Sequence, residues 1–465
     1  MNIHLKIIVL ILSFISTKAI SQNSNLEWAI NIGGTNNDRG GYSTTDSLGN
    51  IYVTGNFNDT VDFDPGINSF NLNSVGNSDI FVLKLDNSGG FIWAKSFGGI
   101  NPDGGSSIAV DNSGNIYVTG SFSGTVDFDP GINTFNLNSV GNDDIFVLKL
   151  DNTGDFIWAK SMGGTNYEGG ASLTTNISGD IFITGEFIGT VDFDPGVSVY
   201  NLTAPGISNY PDIFILKLNS LGNFQWAKNI GWLNSDIGYS ITTDVIGNIF
   251  LTGNFSGTVD FDPGVQTFNL TSNGSNAEWD FFILKLNSNG DFIWATSTGG
   301  TEADFSNSIT IDPIGNIYVT GVFQDVADFD PGSGIFNLVS YGYNDIFIQK
   351  LDATGNFIWA KGIGGSSYDG GYSITTDETG NVYVVGNFYD TVDFNQGGGN
   401  NTLVSVGSPD VFVLKLNTNG NFLWVRSIEG TGYAFVRCIN SDTFGNIHVI
   451  GSFIGTEDFD PEGSG

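Results

Sequence analysis

Apolar residues come in short runs, each closed off by Gly, Asn, Asp or Ser. Phe91-Ile-Trp-Ala-Lys, Ser107-Ile-Ala-Val, Asn115-Ile-Tyr-Val-Thr and Asp144-Ile-Phe-Val-Leu-Lys-Leu are typical. β-Branched and aromatic side chains dominate them, which suits a pleated, half-buried surface and predicts β-strands. No stretch sustains the 3.6-residue apolar period of a helix. Two of the joints share one form, Asp111-Asn-Ser-Gly114-Asn and Asp151-Asn-Thr-Gly154-Asp. An Asp that opens a turn and a Gly free to take positive φ before the next strand predict tight hairpins.

The pattern repeats. Trp recurs at 28, 93, 158, 226, 294, 359 and 424, in steps of 65 or 68 residues. The Gly that opens Gly-Asn-Ile-Tyr-Val-Thr-Gly keeps the same steps, at Gly49, Gly114, Gly179, Gly247, Gly315, Gly380 and Gly445. So does Asp-Phe-Asp-Pro-Gly, whose copies start at Asp62, Asp127, Asp192, Asp260, Asp328, Asp393 and Asp458, with changes in the last two. Such a period is the mark of repeat architecture and overrides the several ordinary domains that length alone suggests. Four strands per unit, seven times over, predict an all-β, seven-bladed β-propeller of four-stranded antiparallel blades. An open solenoid would need atypical capping units, and the ends of this chain show none.

Gly-Asn-Ile-Tyr-Val-Thr-Gly, Asp-Ile-Phe-Val-Leu-Lys-Leu-Asp and Phe-Ile-Trp-Ala-Lys together resemble the seven-bladed β-propeller (SBBP) repeat family of exported, Bacteroidota-type bacterial proteins. The resemblance runs from Leu26 to the last residue and implies a fold and an exported location, without a catalytic residue. The Trp strand occurs seven times, but the Asp-Ile-Phe strand only six, at Asp79, Asp144, Asp212, Asp280, Asp345 and Asp410. The expected closure sets the N-terminal Trp strand, Leu26 to Ile30, as the outer strand of a last blade lacking one strand. The expectation is therefore a domain truncated at its C-terminus.

Residues 1–21 read as a signal peptide: His4 and Lys6, an apolar run from Ile7 to Ile15, then Ala19-Ile20-Ser21 before a cut at Gln22. Residues 22–465 form the single propeller domain, with no transmembrane segment expected once the leader is removed. The chain has 15 Lys+Arg against 49 Asp+Glu, a formal charge of −34, which argues against nucleic-acid binding. One Cys rules out an internal disulfide and a Cys-rich zinc site. The expectation is a secreted or cell-surface, acidic monomer.

Three sets of residues carry candidate chemistry. Ten residues after each Trp stands an acid: Asp38, Asp103, Glu168, Asp236, Asp304 and Asp369, with Ala434 breaking the series. In a ring these acids either form an anionic collar at one mouth of the channel or stabilise their own Gly-rich turns. The second set is paired acids: Asp62 with Asp64, Asp127 with Asp129, Asp192 with Asp194, Asp260 with Asp262, and Asp328 with Asp330. Both members of a pair point one way from an alternating strand, as metal ligands for Ca²⁺ or as turn formers. Trp232 and Trp279 break the regularity of the fourth unit on the loop-rich face, where they suit stacking on a sugar or simple local packing. Irregularity also falls in the seventh unit, with Tyr433, Phe435 and Arg437. His448 stands where other units carry Tyr or Phe, and Cys438 where the preceding unit has Ser373.

These features favour a binding or structural interaction module whose partner is a protein or a polysaccharide. The alternative is a carbohydrate-active enzyme, a glycoside hydrolase or lyase, using carboxylates on the loop-rich face.

Overall fold

A computed structural model describes residues 26–460, apart from 207–209, 275–277, 397, 400, 407 and 408; the expected leader, 1–21, lies outside the described residues. In the first unit, β1 (Arg39–Thr45), β2 (Ile51–Phe57), β3 (Thr60–Asp62), β4 (Asn71–Asn73), β5 (Asp79–Leu85) and β6 (Phe91–Phe97) follow in order. The main sheet runs β1-β2-β5-β6, all antiparallel, and β3 pairs with β4 as a small side hairpin. β2 and β5 are buried on both faces, which is why they read as continuous apolar runs; β6 is only partly covered.

Hairpin chemistry follows the sequence. Asp46 Oδ1 accepts the N–H groups of Leu48 and Asn50, both at 2.9 Å, while Gly49 takes φ 80°. Tyr52 adds its hydroxyl to the same carboxylate at 3.0 Å. Tyr117, Tyr318 and Tyr383 repeat that contact, and His448 Nε2 stands in for it 3.3 Å from Asp442. The histidine is thus a strand residue in a tyrosine's place.

Six units form such four-stranded sheets. The inner strands of all seven units lie side by side: β1, then β7 (Gly104–Val110), then Glu168–Thr175, Ile237–Thr243, Phe305–Ile311, Gly370–Thr376 and Tyr433–Ser441. The last of these lies against β1, so the β-propeller is closed. A serine hydroxyl stitches neighbours together: Ser107 accepts Leu173 N–H at 3.1 Å, and Ser373 accepts Ile439 N–H at 3.1 Å. Where the ends of the chain meet, Cys438 occupies the serine position, its Sγ 3.9 Å from Ser43 Oγ.

The core lies between blades. Tyr117, Ile145 and Val147 of the second unit pack with Ile183, Phe187, Phe214 and Leu216 of the third. Trp28, Trp93, Trp158, Trp226, Trp294 and Trp359 each sit on the next unit's outer hairpin. Trp158 lies 6.3 Å from Tyr117 and under Gly222, where an added Cβ would stand 3.1 Å from the indole. A lysine of the third strand also reaches across in the first five units; Lys84 Nζ donates to Asn152 O at 3.1 Å and sits over the Tyr52 ring.

Trp28 keeps this role across the closure, lying 6.3 Å from His448 and against Gly89 of the first unit. The strand expected from Leu26 to Ile30 is not a regular one: Leu26 makes a single bridge and the chain is irregular from Glu27 to Gly34. Among the described residues the last sheet pairs only Tyr433–Ser441 with Ile447–Ile454, so no third strand is there to carry a ladder to it.

Candidate functional site

The six acids placed ten residues after Trp face inward. Each is at most 2 % exposed and clamps the connection that carries it. Asp103 Oδ2 accepts Gly99 N–H at 2.8 Å and Oδ1 accepts Ser123 N–H at 3.0 Å. Asp38, Asp236, Asp304 and Asp369 make the same two contacts with their own loops, and Glu168 accepts Gly164 N–H at 2.9 Å. Burial pushes Asp103, Glu168 and Asp304 up to about 7 and Asp236 to about 8, in each case against the pull of these hydrogen bonds. They present no charged collar to solvent.

The acid pairs of Asp-Phe-Asp-Pro-Gly shape the side hairpin. Asp62 Oδ1 accepts the N–H groups of Asp64 and Phe70, at 3.1 and 2.7 Å, and Asp64 Oδ1 accepts Gly66 N–H at 2.8 Å. Asp127, Asp192, Asp260 and Asp328 repeat the two contacts of Asp62 in their own units. The second acids repeat the contact of Asp64. Asp129 accepts Gly131 N–H, Asp194 accepts Gly196 N–H and Asp262 accepts Gly264 N–H, each at 2.8 Å, and Asp330 accepts Gly332 N–H at 2.9 Å. Asp62, Asp64, Asp127, Asp129, Asp192, Asp194, Asp260, Asp262, Asp328 and Asp330 thus all serve as turn formers, one of the two roles open to them. Among the described residues no three His, Cys, Asp or Glu side chains gather as a metal cluster. Trp232 is exposed, and its backbone N–H donates to Asp236; Trp279 is half-buried 6.1 Å from Phe305.

The most distinctive solvent-facing feature is a cavity of about 230 Å³ on the loop-rich face, at the seam between the seventh and first units. Arg39, Tyr433, Phe435, Arg437, Phe453 and Ile454 line it with Ser452. Alternation along Tyr433–Ser441 creates it. Tyr433, Phe435 and Arg437 are exposed, while Ala434, Val436 and Cys438 are buried. The Tyr433 and Phe435 rings stack at 6.4 Å and 3°. Two arginines lining one cavity with an aromatic pair stand out in a chain with only 15 basic residues. The sequence flags the seventh unit through its Tyr-Ala-Phe-Val-Arg-Cys alternation. It does not show that Arg39 joins it, because the two meet only across the closure.

Residues 92–121, 293–322 and 358–387 match the family model of the SBBP Beta-propeller repeat. In these three stretches the chain carries SBBP β-propeller repeats. An uncharacterised WD repeat-containing protein of Acanthamoeba polyphaga mimivirus is 28% identical over 94% of this chain and 36% of its own length. Regulatory protein FlaEY of Caulobacter vibrioides is 24% identical over 84% of this chain and 40% of its own. The SBBP-repeat chain therefore spans well under half the length of these curated relatives. Among solved structures, a protein of unknown function from Bacteroides caccae is 9% identical, covers 76% of this chain and 93% of its own, and has a TM-score of 0.35. Among the described residues, no helix is long and apolar enough to cross a membrane.

Proposed function

We propose that this β-propeller is an exported or cell-surface binding module that seats an acidic saccharide in the Arg39–Arg437 cavity. The observation that carries the reading is the pairing of two guanidinium groups with the stacked Tyr433 and Phe435 rings in one open cavity. Guanidinium forks match a carboxylate in two-point contact, and flat aromatic faces accept the apolar face of a sugar ring. A net charge of −34 repels anions at long range, but that repulsion is screened beyond about 8 Å at physiological salt, leaving the local arginines in control.

Titration with uronic-acid oligosaccharides and with neutral oligosaccharides of the same length tests this. The acidic series binds, and Arg437→Ala weakens it at least tenfold while the fold is kept. Equal binding of the neutral series, or an Arg437→Ala variant with unchanged affinity, contradicts the reading.

A further inference from the structure

At six blade junctions a buried acid at the head of a third strand faces a second acid from the next unit, buried at five of them and half-buried at the sixth. The pairs are Asp79 with Asp103, Asp144 with Glu168, Asp212 with Asp236, Asp280 with Asp304, Asp345 with Asp369, and Asp410 with Glu457; in each, the first charge repels the second. In the first pair, Asp79 packs against Gly98, whose added Cβ would fall 2.1 Å from its Cγ, and Asp103 binds the N–H of the adjacent Gly99.

The strand-head acids are unfinished. Asp79 Oδ2 accepts Val75 N–H at 3.1 Å, yet its Oδ1 is buried without a hydrogen-bond partner. Oδ1 of Asp144, Asp280, Asp345 and Asp410 is left in the same way. These side chains are at most 1 % exposed, and the ion pairs found among the described residues do not include them. Two like charges held side by side out of water need a neutralising partner.

The sixth junction shows that the second carboxylate matters. There Ala434 replaces the usual acid, and Glu457 stands where Val61 and Val126 stand in other units. Both Glu457 oxygens are shielded from solvent; burial and the Asp410 charge push this carboxyl up against a hydrogen bond from Gly432 N–H. A lone Asp410 would be neutralised by a single proton. Restoring a second carboxylate from a different position is what a ligand bound by two carboxylates requires.

We infer that each of these six acid pairs holds one divalent cation of the Ca²⁺ class, cementing one blade to the next. The donors are all hard oxygens, with no His or Cys, which suits Ca²⁺ rather than Zn²⁺. These sites are separate from the side hairpins of Asp62 and Asp64; what marks them is the buried, unpartnered oxygen of the strand-head acid, and they do not depend on the saccharide reading.

The test takes the full chain through a chelating resin, then titrates it with CaCl₂ by calorimetry and counts bound metal by elemental analysis. Six Ca²⁺ per chain and a higher melting temperature than in chelator are expected. Glu457→Val, which installs the residue other units carry, lowers the count by one without unfolding the chain. Asp79→Asn with Asp103→Asn lowers it by one, and Asp64→Asn leaves it unchanged. Absence of bound Ca²⁺ at millimolar concentration, an unchanged count in Glu457→Val, or a count that falls in Asp64→Asn overturns the inference. So does stabilisation by protons alone, with no effect of metal.

Discussion

Buried carboxylates decide how this chain responds to pH. Burial pushes Asp103, Glu168, Asp280 and Asp304 up to about 7, from ordinary values of 3.8 for Asp and 4.5 for Glu. Between about pH 4 and 7 the folded chain therefore holds protons that the unfolded chain has released, so stability falls as pH rises through that window. The turn acids act oppositely and lower down. At Asp352 burial pushes up, but hydrogen bonds from Thr354 and Asn356 outweigh it and hold the carboxyl at about 2, so its contribution is lost only as pH falls below about 4. In chelator, melting temperature should peak near pH 4–5 and decline toward pH 8. A rise across the same range would show that these acids are not buried as described.

At the scale of elements, the recurrent Trp strand is the joint between blades. Trp158 packs on Tyr117 within its own sheet and on Gly222 of the next. Trp158→Ala should cost about 3 kcal/mol, the low end for a tryptophan because the ring is only half-buried, as read from urea unfolding. A loss under about 1 kcal/mol would mean the ring does not join the blades. Strand order and hairpin turns were legible in sequence because each depends on neighbours within one unit. The N-terminal Trp segment was less so. Its residues match the other Trp strands, but a ladder also needs a paired neighbour, and sequence similarity does not supply one.

At the scale of the whole molecule, the features with chemical promise arise only once the ring closes or neighbouring units meet. Asp79 and Asp103 are distant enough in sequence to read as a strand start and a loop acid, and only blade packing makes them a pair. Arg39 and Arg437 come together because Tyr433–Ser441 lies against β1. Periodicity placed the acids in a ring and left both a collar and a turn-stabilising role open, because it is silent on which way a side chain turns. Backbone N–H groups of the connection claim these carboxylates.

Closure itself can be read chemically. Ser43 Oγ and Cys438 Sγ lie 3.9 Å apart although 395 residues separate them in sequence. In a Ser43→Cys variant, mild oxidation followed by thiol alkylation and mass analysis should find one disulfide joining the two positions and no free thiol. Two alkylated cysteines under the same conditions would mean that the first and last inner strands do not meet.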